Sequence, residues 1–270
     1  MNKLDFCKKC KKRKFDTSQG IVCGLTNEKP TIDDNCPDFE TNESVKEYKE
    51  VYLKPNGERA NILIAFIWIV LIVEAISVIS SGLQYNLLQT ALNGGEITNE
   101  AANTNDLREQ IIGIIYLIAY IISAIAFILW FRRAYFNLHQ KVKNLSFSEG
   151  WAAGSWFVPI VCLYRPLQIM KELYVETPKY INSKDDSPQI DLSTRFLGLW
   201  WALWIINGIL GNVVFRLSRH ADTLPELSTI TILSIISGLL GVGLGVVTLR
   251  VIRDYSKIEG LLRSNNRYHS

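Results

Sequence analysis

The chain has 270 residues, 48% of them hydrophobic and 20% charged, with 29 Lys and Arg against 26 Asp and Glu. Those averages suit an ordinary globular protein, but their distribution does not: charges gather in blocks and apolar residues in long runs. Because those runs are apolar on every face rather than along one stripe, they argue against a soluble protein with four buried core helices.

The first forty residues form a separate object. Cys7, Cys10, Cys23 and Cys36 follow the pattern C-x2-C-x12-C-x12-C. About 35 residues build little core, so such a module needs a staple. Four thiolates suit tetrahedral zinc, and Gly24 beside Cys23 frees the backbone for a tight ligand turn. The second half lacks a CxxC pair, so an iron–sulfur cluster and plain free thiols stay open beside zinc. Lys8, Lys9, Lys11, Lys12, Arg13 and Lys14 crowd the first pair. This basic cluster has three functional readings, that it balances the thiolate charge, touches anionic lipid headgroups or touches nucleic acid, and beside them the plain one of a solvated tail. One charge run with a single aromatic, Phe15, is thin support for nucleic-acid binding, which is not expected. Residues 41–59 read as a linker.

Four apolar runs follow, at about residues 60–83, 110–131, 196–215 and 228–249. Each is close to the ~20 residues that cross a bilayer as a helix, and inside lipid every backbone polar group must be satisfied within the segment. Nothing at the N-terminus resembles a cleavable signal peptide, so the first span is expected to act as an uncleaved membrane signal. Lys and Arg number twelve in residues 1–59, nine in 132–195 and five in 250–270, against one in 84–109 and two in 216–227. Positively charged loops stay cytoplasmic, which predicts both termini and the long middle loop inside. The tail is 261–270.

In the first span, Glu74 is the one acid, on a face with Ser77 and Ser81. The second carries Tyr116, Tyr120 and Ser123. Counted from the outer ends, Glu74 and Tyr120 lie within about one residue of the same depth. The two spans are therefore predicted to pack along a polar seam, either as a proton or cation site or as a hydrogen-bonded packing device. In the fourth span Ser237, Gly241 and Gly245 form a small-residue ladder, for which Gly208 and Gly211 of the third offer a partner surface. Asn207 is placed to hydrogen-bond across.

Between the second and third spans lies "GWAAGSWFVPIVCLYRPLQIM", from Gly150 to Met170. It is apolar but too short to cross, so residues 150–166 are predicted to re-enter the inner leaflet or lie along it. Trp151, Trp156 and Tyr164 suit headgroup level, while Gly154 and Pro159 interrupt helix. Leu167, Met170 and Tyr174 then mark a short amphipathic surface helix. Cys162 reads as a small packed hydrophobe.

Trp130, Arg133-Ala134-Tyr135, Asn137-Leu138, Trp151, Trp156-Phe157-Val158-Pro159-Ile160, Leu163 and Arg165-Pro166 together resemble the core motif of a bacterial family, domain of unknown function 4328. The resemblance covers roughly residues 60 to 260. It implies a four-span bacterial membrane protein and carries no activity. The cysteine module resembles short Cys-rich leaders on other bacterial membrane proteins.

The fold class predicted is an all-α integral membrane protein: a four-helix transmembrane bundle (residues 60–260) with a short re-entrant or interfacial segment, and a small four-cysteine zinc-ribbon-like module (residues 1–40). The location expected is the bacterial inner membrane. No nucleophile stands with a base, and His139, His220 and His269 are scattered, so no enzyme is expected. Two function classes remain. One is a structural, regulatory or sensing anchor with a cytoplasmic zinc module and a protein partner. The other is a small transporter or channel, a homo-oligomer using the Glu74 seam.

Overall fold

The structure is a computed structural model that describes residues 7, 10–17, 19–29, 36–40, 42, 53–183 and 189–264. Lys8, Lys9, most of the linker and the tail beyond residue 264 lie outside the described residues. The chain divides into two compact units, Met1–Val51 and Tyr52–Ser270.

The first unit contains an antiparallel hairpin of β1 (Arg13–Asp16) and β2 (Gly20–Cys23). Gly20 turns it with a φ of +83°, a conformation that glycine adopts without strain. The register pairs Arg13 with Cys23, which brings the end of β2 back beside the Cys7–Cys10 turn. There Cys10 N–H bonds the Cys7 carbonyl at 3.2 Å. Gly24 N–H then bonds the Lys12 carbonyl at 2.7 Å, and a Cβ on Gly24 would stand 2.4 Å from that oxygen. Lys11 N–H reaches the Glu40 carbonyl, and Lys12 pairs with the Glu40 carboxylate at 2.9 Å. Those two bonds tie the Cys36 end to the hairpin.

The second unit is helical. Helices α1 (Gly57–Leu92), α2 (Asn99–Lys141), α5 (Arg195–Ser218) and α6 (Leu224–Ser264) are long and apolar enough to cross a membrane. Between α2 and α5 come a single turn, α3 (Trp151–Gly154), a 3-10 turn at Val161–Leu163, and α4 (Arg165–Asn182). We call the end holding the start of α1 and the close of α2 the basic end, and the other the hairpin end.

The helices run well past the apolar stretches. At about 1.5 Å per residue the 43 residues of α2 extend for roughly 65 Å, about twice the hydrocarbon thickness. Hydropathy marks only the lipid-facing part. The remainder is held by capping and packing. Thr98 caps α2 by accepting the Ala101 N–H, and past residue 131 the helix buries Ala134, Tyr135, Asn137 and Leu138. Helix α6 likewise buries Val251, Ile252, Tyr255, Ile258 and Leu262 beyond its span.

Helix α1 is central, packing against both α2 and α6, and α6 packs against α5. Helices α2 and α5 share no extended contact. The side of the bundle between them is therefore open along much of its length. Outward-facing Ile72, Ile79, Ile114, Ile118 and Leu239 are exposed, as lipid-facing positions should be.

The glycine ladder faces a different partner from the one predicted. Gly238, Gly241 and Gly245 stand against α1, where a Cβ would come within 2.6 Å of Val78 Cγ2, Glu74 Oε1 and Leu71 Cδ2 respectively. Gly208 and Gly211 have nothing within 4 Å of a Cβ position. Helices α5 and α6 instead use larger side chains and the Ser237–Asn207 hydrogen bond of 2.8 Å.

Candidate functional site: an intramembrane cleft at Glu74

A cavity of about 200 Å³ lies inside the bundle, walled by α1, α2, α5 and α6. Glu74 is on its back wall and is 7% exposed. The Tyr116 hydroxyl donates a hydrogen bond to the Glu74 carboxyl. Tyr116 stacks on Tyr120, with centroids 6.1 Å apart. Asn207 completes the polar group: its Nδ2 lies 3.5 Å from the Cβ position of Gly241, against which the Glu74 carboxyl also rests. Ser123 and Thr248 also line the cavity, and the rest of the lining is apolar or aromatic. Of the predicted seam, Ser77 is half-buried and Ser81 buried on the same helix, and neither lines the cavity.

The α3 segment forms the floor. Trp156 sits among Phe127 and Phe131 of α2 and Trp201 and Trp204 of α5, in edge contacts of 5.5 to 6.3 Å. Trp201 and Trp204 stack at 4.7 Å, and Trp201 Nε1 donates to the Leu163 carbonyl at 2.8 Å. This aromatic layer bridges α2 and α5 at the basic end, where their backbones do not meet. Phe157 and Ile160 point away, each 75% exposed, and Pro159 is exposed with them. Ile160 holds a φ of +66°, a left-handed conformation that is strained for a β-branched residue.

Arg165 opens α4 with its guanidinium stacked on Phe147 at 4.2 Å and near Trp151 and Tyr164 at 5.5 Å. Pro166 at the first turn is buried. Helix α4 is strongly one-sided, burying Ile169, Met170, Leu173, Tyr174, Thr177 and Ile181. Leu167 is only half-buried, because the buried stripe passes through Ile169 and Leu173. Tyr174 donates to the Val251 carbonyl at 2.6 Å, and burial pushes its hydroxyl pKa upward, with Asp254 adding to the effect. Glu172, which the sequence places off the apolar stripe, accepts from Tyr135 at 2.6 Å and from Ser146 N–H at 3.0 Å.

Two polar clusters give little sign of themselves in the sequence. At the basic end Glu259 is 5% exposed and receives the amides of Asn56 (2.9 Å) and Asn137 (2.8 Å). Asn137 also pairs with both backbone groups of Lys54. This knot joins the start of α1, the close of α2 and the close of α6. The one available signal is the apolar stripe that continues through Tyr255 and Ile258 past the fourth apolar run. At the hairpin end Arg108 donates to the Ser80 hydroxyl at 2.8 Å and to Asn105 at 2.7 Å, while Ser80 bonds Glu109.

In the N-terminal unit all four cysteines are half-buried and unbridged. Burial raises the Cys7 thiol pKa, and Cys10, Cys36 and Cys23 raise it further. Cys23 is lowered, because its sulfur accepts the N–H groups of Leu25 and Thr26. Among the described residues no three candidate ligands converge to metal-holding distance.

A family model described as "Domain of unknown function (DUF4328)" matches residues 93–257, more than half of the chain. The chain belongs to this family. Neither a curated protein nor a solved structure matches it. In this DUF4328 protein the matched stretch carries α2 to α6 up to Tyr255 and its neighbours, so it includes the aromatic layer and Asn137. Glu74, Asn56 and Glu259 fall outside it.

Proposed function

We propose that this DUF4328 protein is a sensing membrane anchor that binds a small ligand in the Glu74 cleft, and that it is not an enzyme. One observation carries the reading: the cleft is closed at its basic end and at its back, and is open on the side between α2 and α5. The Trp156 layer lies across its basic end, the glycine ladder closes its back, and on the side α2 and α5 share no extended contact. A pocket closed at one end suits binding better than conduction. The positive-inside bias supports an inner-membrane protein with both termini cytoplasmic. The cysteine module would then sit in a reducing compartment, and we propose zinc as its staple and a cytoplasmic protein as its partner. Any anionic-lipid contact would fall to the basic cluster around Lys11 to Lys14.

The second reading, an oligomeric transporter, is favoured by one fact: Glu74 faces the cavity rather than a neighbouring helix alone. Flux assays on sealed vesicles separate the two. The anchor reading expects no proton or cation flux above that of empty vesicles. A flux that Glu74→Gln abolishes would establish the transporter instead. Native mass spectrometry of the same preparation reports any homo-oligomer.

A further inference from the structure

We propose that the cleft takes a lipophilic organic cation from the bilayer, with its charge at Glu74 and its apolar body among the aromatic walls. The proposal rests on the binding reading above and names the ligand class for that same site.

Charge complementarity comes first. Glu74 is buried, and its carboxyl holds Tyr116 as donor with Asn207 close by. No Lys, Arg or His lines the cavity among the described residues. An acid at membrane depth is costly and ordinarily meets a partner of opposite charge. Here the protein supplies one neutral donor, Tyr116, and among the described residues that line the cavity no cation stands opposite the carboxyl, which leaves that position to a ligand. Arg165, the basic residue of the floor segment, is engaged by its own ring cage at Phe147.

The walls select the same chemistry. Tyr116, Tyr120, Phe127, Trp156, Trp200 and Trp204 all line the one cavity. Aromatic faces carry negative quadrupoles and attract cations, the more so when desolvated. An anion would meet Glu74 and those faces repulsively. A neutral hydrocarbon would fill the apolar part but leave Glu74 without a partner of opposite charge.

Access selects for lipid solubility. The open side lies between α2 and α5, whose outer surfaces are apolar, and Tyr120 at its edge is 48% exposed. A strongly hydrated cation such as sodium would have to shed its shell in hydrocarbon to arrive this way, whereas a delocalised or alkylated cation dissolves there already.

The test is equilibrium binding of labelled tetraphenylphosphonium to the full chain in lipid nanodiscs, with tetraphenylborate, an anion of the same shape, as competitor. Tryptophan fluorescence is followed in parallel with dodecanol as a neutral amphiphile. The expected result is saturable phosphonium binding that Glu74→Gln weakens by about tenfold or more. Glu74→Asp keeps the charge and should retain most of the binding, which guards against a misfolded Gln variant; tetraphenylborate should not compete. Equal phosphonium binding by wild type and Glu74→Gln overturns the proposal. Saturable dodecanol binding without phosphonium binding also overturns it, while leaving the cleft a binding site. If neither probe saturates, the binding reading fails with it.

Discussion

Gly241 lets α6 approach α1 so closely that a Cβ at that position would stand 2.6 Å from Oε1 of Glu74. The carboxyl is thus held from behind by a glycine and from the side by Tyr116. Lipid provides no hydrophobic drive between helices, so close approach of this kind is a main source of their cohesion.

Gly245→Ala should accordingly destabilise the bundle by about 1–3 kcal/mol, because its Cβ would meet the buried Leu71 side chain at 2.6 Å. Gly208→Ala and Gly211→Ala, with open space at their Cβ positions, should stay within about 0.5 kcal/mol of wild type. Thermal unfolding in one detergent orders the three variants. Equal destabilisation by all three would place the tight interface on α5 after all.

Trp156→Ala removes the ring wedged among Phe127, Phe131, Trp201 and Trp204. The loss should be about 3–5 kcal/mol, the range for deleting a large packed aromatic. Phe15→Ala, an exposed ring in the other unit, is the control and should leave bundle stability unchanged. A melting temperature for Trp156→Ala matching wild type would show that the aromatic layer does not hold α2 to α5.

Asn137→Ala leaves Glu259 with the Asn56 amide and also strips both backbone groups of Lys54 of their partner. A cost of about 1–3 kcal/mol is expected for stranding buried polar groups. Combining it with Glu259→Leu should recover part of that loss, since the carboxylate no longer needs satisfying. Strictly additive losses would mean the two residues are not coupled.

Much of this architecture is legible in the sequence, and what is not has definite physical causes. Four spans, the interrupted segment at 150–166 and the one-sided helix after Arg165 follow from apolar run length and 3.6-residue periodicity, which are local properties. The full reach of α2 and α6 does not follow, because Arg132 to Lys141 and Arg250 to Leu262 look polar by average and bury only one stripe. The partner of the glycine ladder is also hidden. Small residues announce a close contact without saying which helix makes it, and Leu71 and Val78 give no matching signal. Glu259 reads as one more charge near the tail until the chain brings Asn56 and Asn137 to it across more than a hundred residues.

Metal occupancy of the cysteine unit can be measured on its own. Native mass spectrometry should give one zinc per chain, lost in a Cys7→Ser, Cys23→Ser double variant. Gly24→Ala should weaken metal retention as well, because its Cβ would stand 2.4 Å from the Lys12 carbonyl and open the turn that follows Cys23. Full occupancy in the double variant would exclude these cysteines as the site.

The central claim is that the Glu74 cleft opens to lipid and is closed to water at its basic end. A nitroxide on Ser123→Cys, in a chain whose other cysteines are serine, reports this directly, because Ser123 lines the cavity. Power-saturation spectra in nanodiscs compare collisions with oxygen, which concentrates in lipid, and with a water-soluble nickel chelate. Strong oxygen and weak nickel relaxation are expected. Strong nickel relaxation would mean a water-filled path through the bundle and would contradict the claim.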